Sequence, residues 1–286
     1  MHVLIIGAGP AGVSAALYAR RGGADVTVIA KEIGALGTAE IIENYYGIEE
    51  PVSGIELARR GIEGARRLGV IFVTDEALGI TGDGTSFAVE GKNEIYTGDA
   101  VILATGTARK TLSIPGIREF TGRGVSSCAV CDAFFYRGKT AAVVGAGDYA
   151  LHELRTLLPH AAKVLLLTHG AKPPRDVPPG VAVYTGRIDR IDGERRVARV
   201  VFSDGSTADT AGVFLAVGTA GTVELARKIG VPTEEGKIAV NEQMETGVPG
   251  VYAAGDCTGG LLQIVKAAYE GAQAGLSVVR FLREKK

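Results

Sequence analysis

What this chain lacks first is net charge: 31 Lys and Arg stand against 32 Asp and Glu, leaving −1. That balance excludes a bulk basic field of the kind that holds nucleic acid. The basic pairs Arg20-Arg21, Arg59-Arg60, Arg66-Arg67 and Arg195-Arg196 read as solvated helix or turn ends rather than as a docking strip. Cysteine is scarce and odd in number, three residues in all. This excludes the paired framework of a small secreted domain. No apolar run approaches ~18 residues, so no membrane span is expected. Met1–Gly7 runs directly into a strand pattern, with no charged stretch followed by an apolar one. The expectation is a cytoplasmic protein without a signal peptide. His2, His152, His160 and His169 fall in no paired motif, and no metal site is expected.

Hydrophobic residues are plentiful instead, 46% of the 286, enough for a substantial core in one large or two medium domains. Val3–Ile6 is a short apolar run ending in glycine. The alanine-rich segment Ala11–Arg21 has a helical face of Val13, Ala16 and Leu17, and Asp25–Ala30 reads as a second strand. Together they form a βαβ unit. The pattern returns as strand Thr140–Val144, helix Tyr149–Leu158 and strand Lys163–Leu167. Val101–Gly106, Val213–Thr219 and Gly250–Asp256 look like strands running into turns, and Leu261–Glu284 like a terminal helix. The order predicts an α/β fold of two Rossmann-like, three-layer nucleotide-binding domains, the second inserted into the first. The expected domains are 1–113 with 240–286, and 114–239, with linkers near Ser113–Gly116 and Lys237–Gln243.

Each βαβ unit opens on a glycine fingerprint. In Gly7-Ala8-Gly9-Pro10-Ala11-Gly12, Gly7 permits the tight turn, Gly9 a close approach to a pyrophosphate and Gly12 close helix–strand packing. The helix end then offers free N–H groups and the positive end of its dipole. The acid that usually holds a ribose hydroxyl should follow about 20 residues later. Here that strand ends at Ala30 and Lys31 follows. Glu32, two positions further on, reads equally as the ribose ligand and as a solvent-facing charge. The second fingerprint is Gly145-Ala146-Gly147-Asp148-Tyr149-Ala150.

Between the two fingerprints stands Cys128-Ala129-Val130-Cys131-Asp132. Two sulfurs at this spacing can bridge, and a helix start there, capped by Ser126 or Ser127, lowers a thiol pKa. Asp132 can take or return a proton near the leaving thiol. A zinc half-site would need four ligands, and no second paired motif supplies them. Cys257 reads as a small packed residue rather than a third redox sulfur. A dithiol between two nucleotide fingerprints implies electrons passing through a disulfide, the pattern of a flavin-dependent disulfide oxidoreductase.

In order along the chain, these motifs resemble the low-molecular-weight thioredoxin reductase family. Gly7–Gly12 looks like that family's FAD pyrophosphate site. Glu43-Asn44-Tyr45-Tyr46-Gly47 looks like its Glu-Asn-aromatic-Pro-Gly segment, with Tyr46 in place of proline. Ala104-Thr105-Gly106 matches its flavin-nucleotide loop. Gly255-Asp256 matches the pair at the ribityl and pyrophosphate portion, and Leu262-Gln263-Ile264 matches the segment whose glutamine sits by the isoalloxazine. The resemblance implies noncovalent FAD, Cys131 as the flavin-side sulfur, Cys128 as the one attacking a thioredoxin-like partner's disulfide, and Asp132 as the proton carrier. It also implies a homodimer.

The second fingerprint departs from that family. Where it carries His-Arg-Arg for the 2′-phosphate of NADPH, this chain has Thr168-His169-Gly170-Ala171, and only His169 fits. Lys172 and Arg175 follow, but an ammonium does not replace a bidentate guanidinium. Asp148 adds a negative charge inside the loop, which opposes an anion. These departures resemble the ferredoxin-dependent flavin thioredoxin reductases, in which ferredoxin replaces NADPH. An NADPH enzyme with an atypical nucleotide site and an oxygen-dependent dithiol oxidase remain open on the residues alone.

Overall fold

The computed structural model describes residues 1–106 and 112–285. The chain divides into two compact units, Met1–Ala108 with Gly221–Lys286 and Arg109–Ala220.

The first unit starts with β1 (His2–Ile6), α1 (Pro10–Arg21) and β2 (Asp25–Ala30). Then come α2 (Gly54–Arg67) and β3 (Ile71–Thr74). A small antiparallel sheet follows, β4 (Ala77–Gly82), β5 (Phe87–Gly91) and β6 (Ile95–Gly98). The chain then re-enters the main sheet as β7 (Ala100–Leu103).

The second unit holds α3 (Ile117–Phe120), β8 (Val125–Ser126), α4 (Ala129–Asp132), β9 (Thr140–Val144), α5 (Asp148–Leu157), β10 (Lys163–Leu167) and β11 (Ala182–Tyr184). Its own small antiparallel sheet is β12 (Ile188–Gly193), β13 (Val197–Phe202) and β14 (Thr207–Asp209), and β15 (Gly212–Leu215) closes the unit. The chain returns to the first unit with α6 (Thr222–Lys228), the hairpin β16 (Thr233–Glu234) and β17 (Lys237–Ile238), β18 (Val251–Ala253) and α7 (Ile264–Glu284).

The two main sheets share one plan. The first has the order β18-β7-β1-β2-β3 and the second β11-β10-β9-β15-β8, and all pairings in both are parallel. Parallel strands are covered on both faces, so they read as unbroken apolar runs. Ile5, Val28 and Ile102 lie in one core; Val144, Leu165, Leu167 and Val213 lie in the other. In the first unit α1 meets α7 almost backbone to backbone. A Cβ on Gly271 would strike the Ala11 carbonyl, and one on Gly275 the Ala15 carbonyl. The small residues Ala15, Ala16 and Ala19 of α1 are fully buried there.

The second junction falls between Ala220 and Gly221, not at 239/240 as the sequence suggested. The reason is packing: α6 lies on β4, and β17 lies on the turn at Asp256–Thr258, so both belong to the first unit. The first expected boundary, at 113/114, adjoins residues 107–111, which lie outside the described residues.

Candidate functional site

The nucleotide loop of the first unit is built by sterics. Gly7 has φ +113°, and a side chain there would run into the Ala104 carbonyl. Its N–H donates to Ile29 O at 2.9 Å, while Ala104 N–H donates to Ile6 O at 2.8 Å. The loop is thereby pinned across β2, β1 and β7. A Cβ on Gly12 would strike the Gly7 carbonyl, whereas one on Gly9 would meet no protein atom within 4 Å. Pro10 occupies the first position of α1, and no acidic residue lies in that first turn. Pro is suited to this position because its missing N–H has no partner in a helix anyway.

Of the other residues singled out in the sequence, Ala104, Thr105 and Gly255 lie against this loop. Gly255, at φ +90°, has room for no side chain because Ala11 Cβ lies 2.8 Å from where its Cβ would stand. Asn44 Nδ2 donates to Gln263 Oε1 at 3.4 Å, joining two segments 219 residues apart. Gln263 is the residue before α7, and Ile264 is its first. The hydroxyls of Thr105 and Thr222 are hydrogen-bonded to each other. Thr222 also donates to Gly106 O at 3.0 Å. Asp256 starts a short 3-10 turn after Gly255. Glu32 is exposed, two residues past the end of β2, and the neighbouring Lys31 pairs with buried Glu76 at 2.6 Å.

Sequence reasoning missed the group that holds the Gly255–Gly259 turn. Lys266 Nζ donates to Gly255 O at 2.7 Å and Gly259 O at 2.6 Å, and it lies 2.9 Å from Glu270. Glu270 accepts from Gly255 N–H at 2.8 Å. A Lys–Glu pair at i,i+4 on the first turns of α7 was the available signal. Cys257 is buried in the same turn. Burial pushes its thiol up to about 12, which makes it inert as a nucleophile and agrees with its reading as a packed residue.

In the second unit Cys128 and Cys131 form a disulfide, Cα to Cα 5.4 Å. The helix start is real, but its cap differs from expectation. Neither Ser126 nor Ser127 caps α4. Cys128 is itself the N-cap and its Sγ accepts from Cys131 N–H at 3.2 Å. Ser126 Oγ lies one step back and accepts from Cys128 N–H at 3.0 Å. Cys128 is 2% exposed, whereas Cys131 is exposed. Ala129 N–H donates to Glu153 Oε2 at 2.7 Å, and Tyr149 Oη donates to Ser127 O at 3.2 Å. Both anchors come from α5. Val130, Phe134 and Phe135 are exposed around the disulfide, and the Arg137 guanidinium lies 4.8 Å from the Phe134 ring.

The second glycine loop repeats the first in part. Gly145 has φ +156°, and a side chain would strike the Ala216 carbonyl. Asp148, however, stands where Pro10 stands in the first loop and is the acidic residue of the first turn of α5. His169, in a left-handed conformation at φ +50°, turns its ring inward so that Nδ1 accepts from Ile188 N–H at 2.9 Å. Burial, with the Arg187 charge, holds its pKa below the usual histidine value. The stretch 171–180 contains no helix.

Among the described residues no cluster of His, Cys, Asp and Glu could hold a metal ion. Among them, too, no helix is long and apolar enough to cross a membrane.

Residues 1–272 match the family described as pyridine nucleotide-disulphide oxidoreductase. The thioredoxin reductase of Aquifex aeolicus is 35% identical over 99% of this chain and 94% of that protein. Among solved structures, the atypical thioredoxin reductase TRi from Desulfovibrio vulgaris Hildenborough superposes with a TM-score of 0.93 at 35% identity, covering 99% of this chain and 98% of that one. A ferredoxin-flavin thioredoxin reductase from Clostridium acetobutylicum superposes with a TM-score of 0.73 at 31% identity, again covering 99% and 98%.

Proposed function

Because this chain belongs to the pyridine nucleotide-disulphide oxidoreductases, and within them to the thioredoxin reductase family, it is an FAD-dependent disulfide oxidoreductase. From that premise we propose that it reduces thioredoxin or a similar protein disulfide, with ferredoxin rather than NAD(P)H as the electron donor. Bound FAD joins one-electron donors to the two-electron chemistry of a disulfide.

The first unit fits that cofactor. The open side of Gly9 leaves room for a pyrophosphate against the backbone, and the first turn of α1 carries no competing carboxylate. Gly7, Pro10, Ala11 and Gly12 form this cradle. Ala104, Thr105, Gly106, Gly255 and Asp256 line its edge. Asn44, Gln263 and Ile264 make a second contact region, and Glu32 is assigned to the ribose.

The Cys128–Cys131 bond accepts the electron pair. Cys128 then attacks the partner's disulfide, Cys131 displaces it from the mixed disulfide, and Asp132 carries the proton between sulfur and solvent. Since Cys128 is buried, this role requires that it be uncovered before it meets a partner. The exposed Val130, Phe134 and Phe135 suit a protein rather than a small disulfide. Residues 109–220 carry 15 Lys and Arg against 10 Asp and Glu, a net +5. The near-neutral total therefore hides a basic dithiol-bearing unit, which attracts an acidic protein.

The reading of the donor is carried by one observation: His169, the residue left from the 2′-phosphate set, spends its Nδ1 on the Ile188 amide. The test is thiol release from oxidised thioredoxin. Thiols are expected with reduced ferredoxin and not with NADPH or NADH. Equal rates with NADPH would contradict the choice of donor, and no release with any donor would contradict the choice of substrate.

A further inference from the structure

Helix α5 carries a residue that its pattern does not call for. Tyr149, Ala150, Leu154 and Leu157 are buried along it, and so is Glu153, at 1% exposure. A carboxylate is rarely buried so fully, and it is kept there only when hydrogen bonds repay its lost hydration. Glu153 accepts from Ala129 N–H at 2.7 Å. Ala129 is the first residue of α4 and is bonded directly to Cys128.

That amide has electrostatic meaning. The free N–H groups of a helix's first turn are the donors that stabilise a thiolate at a helix start. Here one of them is already satisfied by a fixed anion. A charge-assisted bond of this kind is about twice as strong as a neutral one, so it also fixes the turn. The remaining N–H directed at sulfur is that of Cys131, donating to Cys128 Sγ at 3.2 Å. Other charged and titratable groups surround the turn. Asp132 and Tyr136 come from α4 and the segment after it, Tyr149 and His152 from α5. His152 Nε2 lies 3.9 Å from Glu153 Oε1. Burial and then the Asp132 charge raise the Tyr136 pKa, while Arg196, from the β12–β13 hairpin, opposes them.

We infer that Glu153 is the positioning residue of the dithiol. It holds the first turn of α4 through Ala129, and its charge keeps Cys128 a protonated thiol after the disulfide has been reduced, until Asp132 takes that proton and frees the thiolate for attack on a partner. The S–S bond breaks on taking up two electrons, supplied through the FAD chemistry. One proton from solvent then goes to Cys128, and Cys131 is left as the thiolate. The exposure of the two sulfurs, buried for Cys128 and open for Cys131, acts in the same direction, because burial penalises the charged form. This inference rests on the disulfide-reductase reading for its purpose but not for its test.

The experiment follows the ultraviolet absorbance of the thiolate against pH in the FAD-loaded Cys131→Ser protein. In this variant Cys128 is the thiol that titrates, since Cys257 is held protonated up to about 12. With Glu153 present, the Cys128 midpoint is expected above that of an ordinary cysteine. In Cys131→Ser/Glu153→Gln the amide oxygen can still accept from Ala129 N–H but the charge is gone. The midpoint should fall by roughly one pH unit, the scale of a neighbouring like charge. In Cys131→Ser/Glu153→Asp the charge remains, and the midpoint should stay near that of the Glu153 parent. An unchanged midpoint in the glutamine variant would overturn the inference, and so would an equal fall in the aspartate variant. Should the glutamine variant fail to fold, the aspartate variant and the absolute midpoint of the parent still decide. No electron donor or protein substrate takes part, so failure of the reductase assay and failure of this titration are separate outcomes.

Discussion

The two glycine loops are one device used twice, and they differ where a ligand would be felt. In both, the first glycine is left-handed and lies under the carbonyl of a crossing strand's end, Ala104 for Gly7 and Ala216 for Gly145. In both, the middle glycine is open, with no protein atom closer than 3.7 Å to a Cβ on Gly147. That much is what a βαβ turn needs in order to close. The copies part at the third position, Gly12 against Ala150, and at the first helical residue, Pro10 against Asp148. An empty helix end attracts an anion. The second copy brings its own carboxylate to that end, which answers the dipole from within. The comparison teaches that backbone crossings preserve the fold, while charge at the helix start decides whether a phosphate is wanted.

The comparison can be broken most severely at the sulfurs, which only the second unit carries as a pair. Cys131→Ser should abolish multiple turnover of a protein disulfide, by about a thousandfold or more given that no resolving thiolate remains. It should also trap a mixed disulfide through Cys128, visible by mass. Cys128→Ser should trap none, and Cys257→Ser should leave turnover within about twofold because that thiol is inert. A mixed disulfide trapped instead by Cys128→Ser would reverse the two roles.

The loops themselves offer the next contrast. Gly12→Ala drives a methyl into the Gly7 carbonyl and should cost about 1–3 kcal/mol, the usual range for overpacking, with loss of FAD during gel filtration. Ala150→Gly in the second copy should cost only about 0.5–1 kcal/mol, the helix penalty of glycine, and should leave the flavin in place. Denaturant titrations would measure both. Equal costs would show that the two loops are equally constrained.

The smallest effect concerns His169. Its folded pKa is lowered, first by burial and then by Arg187, so the folded protein favours the neutral ring. Stability from this group is complete above the unfolded value of about 6.5 and is lost as pH falls below it, because the unfolded chain binds the proton more readily. His169→Ala should cost about 1 kcal/mol at pH 8, the value of one hydrogen bond, and should flatten the pH dependence of stability between about pH 7 and 5. A variant as pH-sensitive as the parent would place the titration elsewhere.

Much of this was legible in the sequence because it rests on local rules. Strands Asp25–Ala30, Thr140–Val144 and Lys163–Leu167 lie where their apolar runs placed them, since parallel strands leave no polar face to blur the pattern. The two three-stranded antiparallel sheets, 77–98 and 188–209, went unread. Their half-exposed strands, such as Ile188–Gly193, mix charge and apolar residues without clean alternation. The cap of α4 was misread because a serine near a helix start is the ordinary choice, whereas here the Cys128 sulfur takes that place. Glu153, Thr222 and the Lys266–Glu270 pair were missed for a different reason. Each acts on a backbone group brought to it by tertiary packing, and a single charged or hydroxyl side chain carries no mark of which distant amide or carbonyl it will meet. Glu153 left one trace, a charge on the apolar face of α5, and Lys266 and Glu270 another, their i,i+4 spacing.

The most direct test of the whole account is whether the second loop delivers electrons from a pyridine nucleotide. FAD-loaded protein, kept anaerobic, would be mixed in turn with NADPH, NADH and reduced ferredoxin while the flavin absorbance is followed. The account predicts bleaching by ferredoxin and none by either nucleotide. Rapid bleaching by NADPH would contradict it, showing that Asp148 and the inward-turned His169 leave a working nucleotide site.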